Sequence, residues 1–186
     1  MGLFEFLMVL VSIIIGLGVT EILGGIANTV RARASVKAYW VHVVVVVALF
    51  IALLQQWWET WGLRDSTEWS FPALPLLLGA PVCLFLMADL AFPEPIEGAD
   101  FREYCYGEMR PFWLLGAAAI MTSTSFRPIF FGQPLFHPSN ATSFVGLAGF
   151  VALFGTSRHG IHAVLVPLFL VLIVLDVLLW SPVIGS

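Results

Sequence analysis

Charged residues are what this sequence has least of. They make up 11% of its 186 residues, with eight Lys or Arg and twelve Asp or Glu residues and a formal net charge of −4. Such a chain offers no basic patch for phosphate groups, so nucleic acid is excluded as its main partner. Hydrophobic residues make up 60%, which is more than a soluble domain of this length could bury. We therefore expect an integral membrane protein surrounded by the lipid bilayer.

The sequence is also poor in groups that perform chemistry. Its two cysteines, Cys83 in a predicted span and Cys105 in a predicted loop, lie at different depths, so we expect no disulfide. There is no Gly-x-Ser-x-Gly elbow, Cys-x-x-Cys pair or phosphate-binding glycine loop. His137, His159 and His162 have no Cys or carboxylate at metal-ligand spacing. We expect no enzyme, no metal site and no cofactor.

What the sequence does have is long apolar segments. The first covers residues 3–28, has Glu5 at its start and one charge further inside, Glu21, and at about 1.5 Å per residue is long enough to cross the ~30 Å hydrocarbon layer. It has no basic n-region and no small-residue cleavage pattern, so we interpret it as a retained span. The sequence predicts an all-α, polytopic transmembrane helical bundle that forms a single domain over residues 1–186. The six predicted spans are 3–28, 38–61, 71–92, 111–126, 139–156 and 160–180.

The connections between the spans set the predicted orientation. Six of the eight basic residues fall on one side of the six-span arrangement, and since basic loops tend to stay cytoplasmic, both termini are expected outside. Asp100 followed by Glu103 has the spacing of a capping box and predicts a short interfacial helix over residues 100–109. Residues 127–138 are rich in Phe but interrupted by proline and glycine, which predicts an irregular outer loop.

Small residues follow two lines along the first span. Gly18 and Gly25 share a helical face with Glu21, and such faces let neighbouring helices approach closely in lipid. A charge facing hydrocarbon costs about 2.5 to 3.5 kcal/mol, so Glu21 is expected to face protein. The second line repeats every four residues and completes the predicted helix-packing set; it consists of Ser12, Gly16, Thr20 and Gly24.

Glu21 and His42 form the first candidate site. Counted from the predicted cytoplasmic ends of their spans, Glu21 lies about 10 Å and His42 about 6 Å deep, so antiparallel neighbouring helices could bring them together. A carboxylate and an imidazole at that depth could relay a proton or hold a cation. A purely structural hydrogen bond between the two helices is the open alternative. Asp89 either joins this pair or lies in the interface.

The second candidate site is a polar vestibule in the predicted outer half. It comprises Asp176, which is also a candidate for the ion or proton pathway, together with Gln55, Gln56, Thr122, Ser123 and Arg127. An Asp within a span usually has a partner, and Arg127 is the available cation. A structural contact of Asp176 with that arginine or with a glutamine is the alternative.

The first half of the chain carries a series of small and aromatic residues that resembles a family of small, uncharacterised bacterial membrane proteins. The residues that carry the resemblance are Gly16, Gly18, Thr20, Gly25, Tyr39-Trp40-Val41-His42, Trp57-Trp58, Leu63-Arg64 and Trp69-Ser70-Phe71. The resemblance implies a multi-pass protein of the bacterial inner (cytoplasmic) membrane with about six spans, and it implies no activity.

These features lead to two functional hypotheses. The first is a small membrane transporter or channel-like protein, as a homo-oligomer, with Glu21 and His42 as its ion or proton station. The second is a non-catalytic accessory subunit of a larger membrane complex, which uses its many Trp and Phe residues and the acidic connection after the third span to contact lipid, pigment or other membrane subunits.

Overall fold

The computed structural model describes residues 3–64, 71, 73–132, 134–137 and 140–180. The regular secondary structure within these residues is all helical, with seven α-helices, one 3-10 turn and no strand, which confirms the predicted all-α class. The elements are α1 (Leu3–Arg31), α2 (Trp40–Thr60), the 3-10 turn Trp61–Leu63, α3 (Ala73–Asp89), α4 (Phe101–Gly107), α5 (Arg110–Phe131), α6 (Ala141–Gly155) and α7 (His159–Trp180).

Three helical segments are long and apolar enough to cross a membrane. They are Phe4–Arg31, Trp40–Leu63 and His159–Leu179. Two further helices, Ala73–Asp89 and Ala141–Gly155, are apolar but shorter. Large aliphatic side chains lie exposed along the long helices, such as Ile13 on α1 and Val171 on α7. An exterior of this kind suits hydrocarbon, so the fold is that of a membrane protein.

The helices pack around α3 and α5, which contact each other closely. On one side α3 also packs on α1, and on the other α5 packs on α6. The bundle closes where α2 contacts α7, α1 and α3 and where α6 contacts α7. The core that joins these helices includes the fully buried side chains of Val11, Ile22, Leu53 and Leu153. The contacts form a closed ring from α2 through α3, α5, α6 and α7 back to α2, so these five helices surround a common interior. Helix α1 packs on α2 and α3 of this ring.

The short helix α4 is fastened to the connection between α1 and α2. The backbone of Lys37 donates to Ala99 and accepts from Phe101, and its ammonium lies 3.2 Å from the Asp100 carboxylate. Asp100 is also the N-cap of α4, because its side chain accepts from the backbone amides of Arg102 and of the residue after it. The bond from the Glu103 amide first, and then the bond from Lys37, lower the pKa of Asp100 below its ordinary value.

Replacing Asp100 with alanine is expected to fray α4. The variant loses the cap and the Lys37 contact together, so amide exchange over Phe101–Gly107 should rise and the thermal midpoint should fall by a few degrees. The matched control is Glu97→Ala, which removes an exposed carboxylate of the same connection. Folding lowers the pKa of Asp100. The stabilisation that its carboxylate gives to the folded state is therefore complete above the ordinary pKa of 3.8 and is lost as the pH falls through the lower folded pKa. The difference in stability between Asp100→Ala and wild type should therefore shrink in acid. Equal amide exchange of the two proteins at pH 7 would contradict the capping role of Asp100.

Helix α5 runs further than the sequence predicts. The irregular loop was expected to begin at residue 127, but the helix continues through Pro128 to Phe131. A proline within a helix removes one backbone hydrogen bond and need not end it where the surroundings hold the rest of the helix. The break comes at Gly132, whose φ of +60° is the left-handed conformation that commonly closes a helix.

Candidate functional site

A cavity of about 200 Å³ lies between α2, α3, α5, α6 and α7. Most of its wall is apolar, with side chains such as Leu49, Leu84 and Val166. Its polar groups gather towards the end of the bundle where α2 and α7 finish and α6 begins. A largely apolar pocket with a few converging polar groups is the usual form of a small-molecule site.

Two carboxylates and one amide define the polar end of the cavity. The Nε2 group of Gln55 donates to Asp176 Oδ2 at 2.6 Å and to Glu59 Oε1 at 3.2 Å. The hydroxyl of Thr142 donates to Asp176 Oδ1 at 2.8 Å. We call Gln55, Glu59, Thr142 and Asp176 the acidic end. Both oxygens of Asp176 therefore accept hydrogen bonds from neutral donors.

An aromatic wall, formed by Trp113, Phe150 and Phe169, lines the cavity beyond the acidic end. The rings of Phe150 and Phe169 are stacked, with centroids 4.4 Å apart, and the ring of Trp113 lies 6.0 Å from Phe150. Two glycines make room for these rings. A Cβ atom on Gly116 would overlap the ring of Phe150, and one on Gly149 would come within 2.8 Å of Phe169. The rings of Phe150 and Phe169 therefore pack closely against the backbones of α5 and α6.

The hydroxyls of a half-buried serine and a buried threonine add polarity on the α5 side of the cavity. Ser123 donates to the carbonyl of Ala119 at 2.8 Å. Thr124 is 8% exposed, and its hydroxyl has no hydrogen-bond partner in the part of the chain that the structure describes. A buried hydroxyl without a partner is uncommon in proteins. Both residues line the cavity.

Most of the predicted vestibule lies at this cavity. Gln55, Gln56, Ser123 and Asp176 all line it. Thr122 does not, because its methyl group packs against Gly79 of α3 and its hydroxyl donates to carbonyls of its own helix. The side chain of Arg127, the expected partner of Asp176, lies outside the described part of the structure.

Sequence reasoning missed several residues of the site. Glu59 could have been found, because it lies four residues after Gln55 and shares its helical face. Thr142 and the aromatic wall carry no signal of this kind, since they reach the cavity only through the packing of α6 and α7 against α2 and α5.

The structure does not bring Glu21 and His42 together. His42 is buried, its Nε2 donates to the carbonyl of Ala91 at 2.7 Å, and its ring packs on Phe92 and Phe101. Glu21 lies on the exposed side of α1, so the predicted pairing with His42 does not form within this chain. The physical reason is that the neighbouring Ile22, fully buried, takes the inward position on this turn. Asp89 is exposed at the end of α3.

The two lines of small residues on α1 have different surroundings. Gly18 lies 3.0 Å from Leu53, measured from an ideal Cβ position, and Gly25 lies against Phe92. The line that repeats every four residues faces outwards, and Gly16 and Gly24 have no neighbour within 4 Å of that position. In the same line, Thr20 bonds to the carbonyl of Gly16, and Ser12 accepts from the indole of Trp57.

A separate tyrosine and histidine cluster lies at the opposite end of the bundle. The hydroxyls of Tyr39 and Tyr106 are hydrogen-bonded, and the Tyr106 ring packs edge-on against His159 and His162. Burial raises the pKa of Tyr106, and it raises the pKa of the nearby Cys105 thiol to about 12. Both groups are therefore neutral near pH 7. No group of three metal-ligating side chains occurs among the residues that the structure describes.

Comparison of the chain with family models, curated proteins and solved structures finds no match. The resemblance to small bacterial membrane proteins therefore stays a prediction, and the functional argument rests on the geometry of the cavity.

Proposed function

We propose that the protein is a small membrane transporter whose binding site is the cavity and whose ion or proton station is Asp176. The observation that carries the proposal is the position of this carboxylate, which lies on a membrane-length helix and lines the cavity between the helices. Ionisable side chains within membrane helices are costly, and they commonly mark ion or substrate pathways. The station thus belongs to the acidic end and not to the Glu21 and His42 pair.

The hydrogen-bond donors around Asp176 support its reversible binding of a proton or a cation. Gln55 and Thr142 hold its two oxygens without neutralising its charge. A proton or a cation arriving at the acidic end would add a positive charge there and could leave again.

The proposal includes the membrane arrangement. We propose that α3, α5 and α6 cross the bilayer beside the three membrane-length helices, giving six spans with both termini outside, in a bacterial inner membrane. The side-by-side contacts of α3 with α1 and of α6 with α7 support the span number. The basic residues of the predicted cytoplasmic connections support the orientation, and the resemblance supports the membrane.

One observation favours the alternative, an accessory subunit of a larger complex. Thr20 and Glu21 are exposed on α1, a helix long enough to span the membrane. Contact with another subunit or a second copy of the chain would remove a carboxylate from lipid. This alternative places the important carboxylate on the outside of the bundle, and the transporter places it inside.

Proton flux in proteoliposomes tests the proposal. A potassium diffusion potential drives proton entry, which a pH-sensitive dye reports inside the vesicles. Wild-type protein should carry protons faster than empty vesicles, and Asp176→Asn should lower that rate at least tenfold, because the amide can neither bind nor release a proton. Asp89→Asn makes the same chemical change at an exposed carboxylate and should keep the wild-type rate.

Two results would contradict the transporter. One is wild-type protein that carries protons no faster than empty vesicles. The other is Asp176→Asn that retains the wild-type rate. If instead Glu21→Gln causes the loss and Asp176→Asn does not, the functional carboxylate is the one on the outer face of α1.

A further inference from the structure

We propose that the cavity binds an amphipathic organic cation, with a positively charged amine at the acidic end and an apolar, preferably aromatic, body along the aromatic wall. The proposal rests on the proposed function, since it takes the cavity as the ligand site. It adds the chemical class of the ligand, which the flux of protons alone does not define.

The sign of the charge follows from the acidic end. A single amide group, Gln55 Nε2, donates to both Asp176 and Glu59, so the two carboxylates face the same small region. Both line the cavity. They are the only charged side chains among the described residues that line the cavity, so this lining attracts a cation and repels an anion, and the low dielectric constant of the surrounding apolar wall strengthens both effects.

The organic nature of the ligand follows from the rest of the wall. A bare calcium or magnesium ion needs six or more oxygen ligands, or several bound waters, close around it. Away from the acidic end the cavity offers mainly apolar side chains and the rings of Trp113, Phe150 and Phe169. Such a surface gains free energy by covering an apolar group, and its ring faces also attract a cation held above them.

The size of the cavity sets the size of the body. An apolar cavity of about 150 Å³ can hold benzene, so about 200 Å³ suits an aromatic ring with a short chain. Phe169 and Asp176 are seven residues, about two helical turns, apart on α7, which corresponds to about 10 Å. A chain of a few carbon atoms between ring and amine would place each group against its own part of the wall.

Equilibrium dialysis with two matched probes tests this class. The probes are (3-phenylpropyl)trimethylammonium and 4-phenylbutyrate, which share a phenylpropyl body and carry opposite charges. Each is measured against the protein in nanodiscs, and binding to empty nanodiscs is subtracted. The cation should bind saturably and the anion should not. Asp176→Asn should weaken cation binding at least tenfold, and Asp89→Asn should leave it unchanged.

A second variant keeps the test decisive if Asp176→Asn does not fold. Phe150→Leu removes one ring of the wall and should weaken cation binding several-fold. Binding of the anion as tight as that of the cation would overturn the proposal, as would cation binding that neither substitution changes. A protein that carries protons through Asp176 but binds neither probe refutes the ligand class and leaves the transporter in place. A protein that binds the cation through Asp176 but carries no protons refutes the proposed transporter and leaves the ligand class in place.

Discussion

A single methyl group added at Gly25 is expected to destabilise the folded protein by about 1 to 3 kcal/mol, the usual cost of overfilling a packed core. The new Cβ atom would overlap the ring of Phe92. That ring is 9% exposed and packs edge-on against His42, with centroids 5.4 Å apart, so it cannot move without disturbing the packing of α2. The added group therefore strains the contact between α1 and the end of α3.

The neighbouring glycine supplies the control. A Cβ atom on Gly24 would have nothing within 4 Å, so Gly24→Ala should leave stability unchanged or raise it by up to about 1 kcal/mol through better helix propensity. Unfolding of both variants by titration with sodium dodecyl sulfate in mixed micelles, followed by circular dichroism, gives the comparison. Equal stability of the two variants would show that the Gly25 face is not a close contact.

These two glycines also show what the sequence could and could not predict about the fold. Long apolar runs are enough to predict helices, because the backbone in a membrane must satisfy its own hydrogen bonds. The same apolar runs do not predict which face of each helix is buried. Gly24 and Gly25 both belong to lines of small residues on α1, and only the position of Phe92, far along the chain, distinguishes them. Which line is buried depends on tertiary packing that no local pattern encodes.

The same distinction explains the candidate sites. Counting residues along a span estimates the depth of a side chain, and depth correctly grouped Gln55 and Ser123 with Asp176 near one end of the bundle. Depth does not give the direction in which a side chain points. Glu21 and His42 were matched by depth, but the imidazole turns towards Ala91 and the carboxylate turns outwards.

The end of helix α5 shows a third limit of prediction from the sequence. Proline is the strongest breaker in a sequence, so Pro128 was expected to mark the start of an irregular loop. The helix in fact ends at Gly132, where the backbone adopts a left-handed conformation. A proline costs a helix one hydrogen bond, whereas a glycine in this conformation turns the chain away. The sequence contained both residues, but it could not show which of them the surrounding helices would tolerate.

Replacing His42 with alanine is expected to cost about 3 kcal/mol of folding free energy, the larger of the two stability effects argued here. The substitution leaves a gap between Phe92 and Phe101, whose ring centroids lie 5.4 Å and 4.4 Å from the imidazole. It also removes the donor that bonds the carbonyl of Ala91. Loss of packing and loss of a buried hydrogen bond therefore act together at the junction of α2, α4 and the end of α3.

The variant His42→Gln separates a structural role from an ion pathway. Its amide can still donate to Ala91, so it should recover part of the stability that alanine loses. Glutamine does not titrate, so it cannot relay a proton as an imidazole can. If His42 only supports the fold, folded His42→Gln protein should keep the wild-type proton flux while Asp176→Asn loses it. A flux that falls as far in His42→Gln as in Asp176→Asn would place the imidazole on the pathway and extend the station from the acidic end to the opposite half of the bundle.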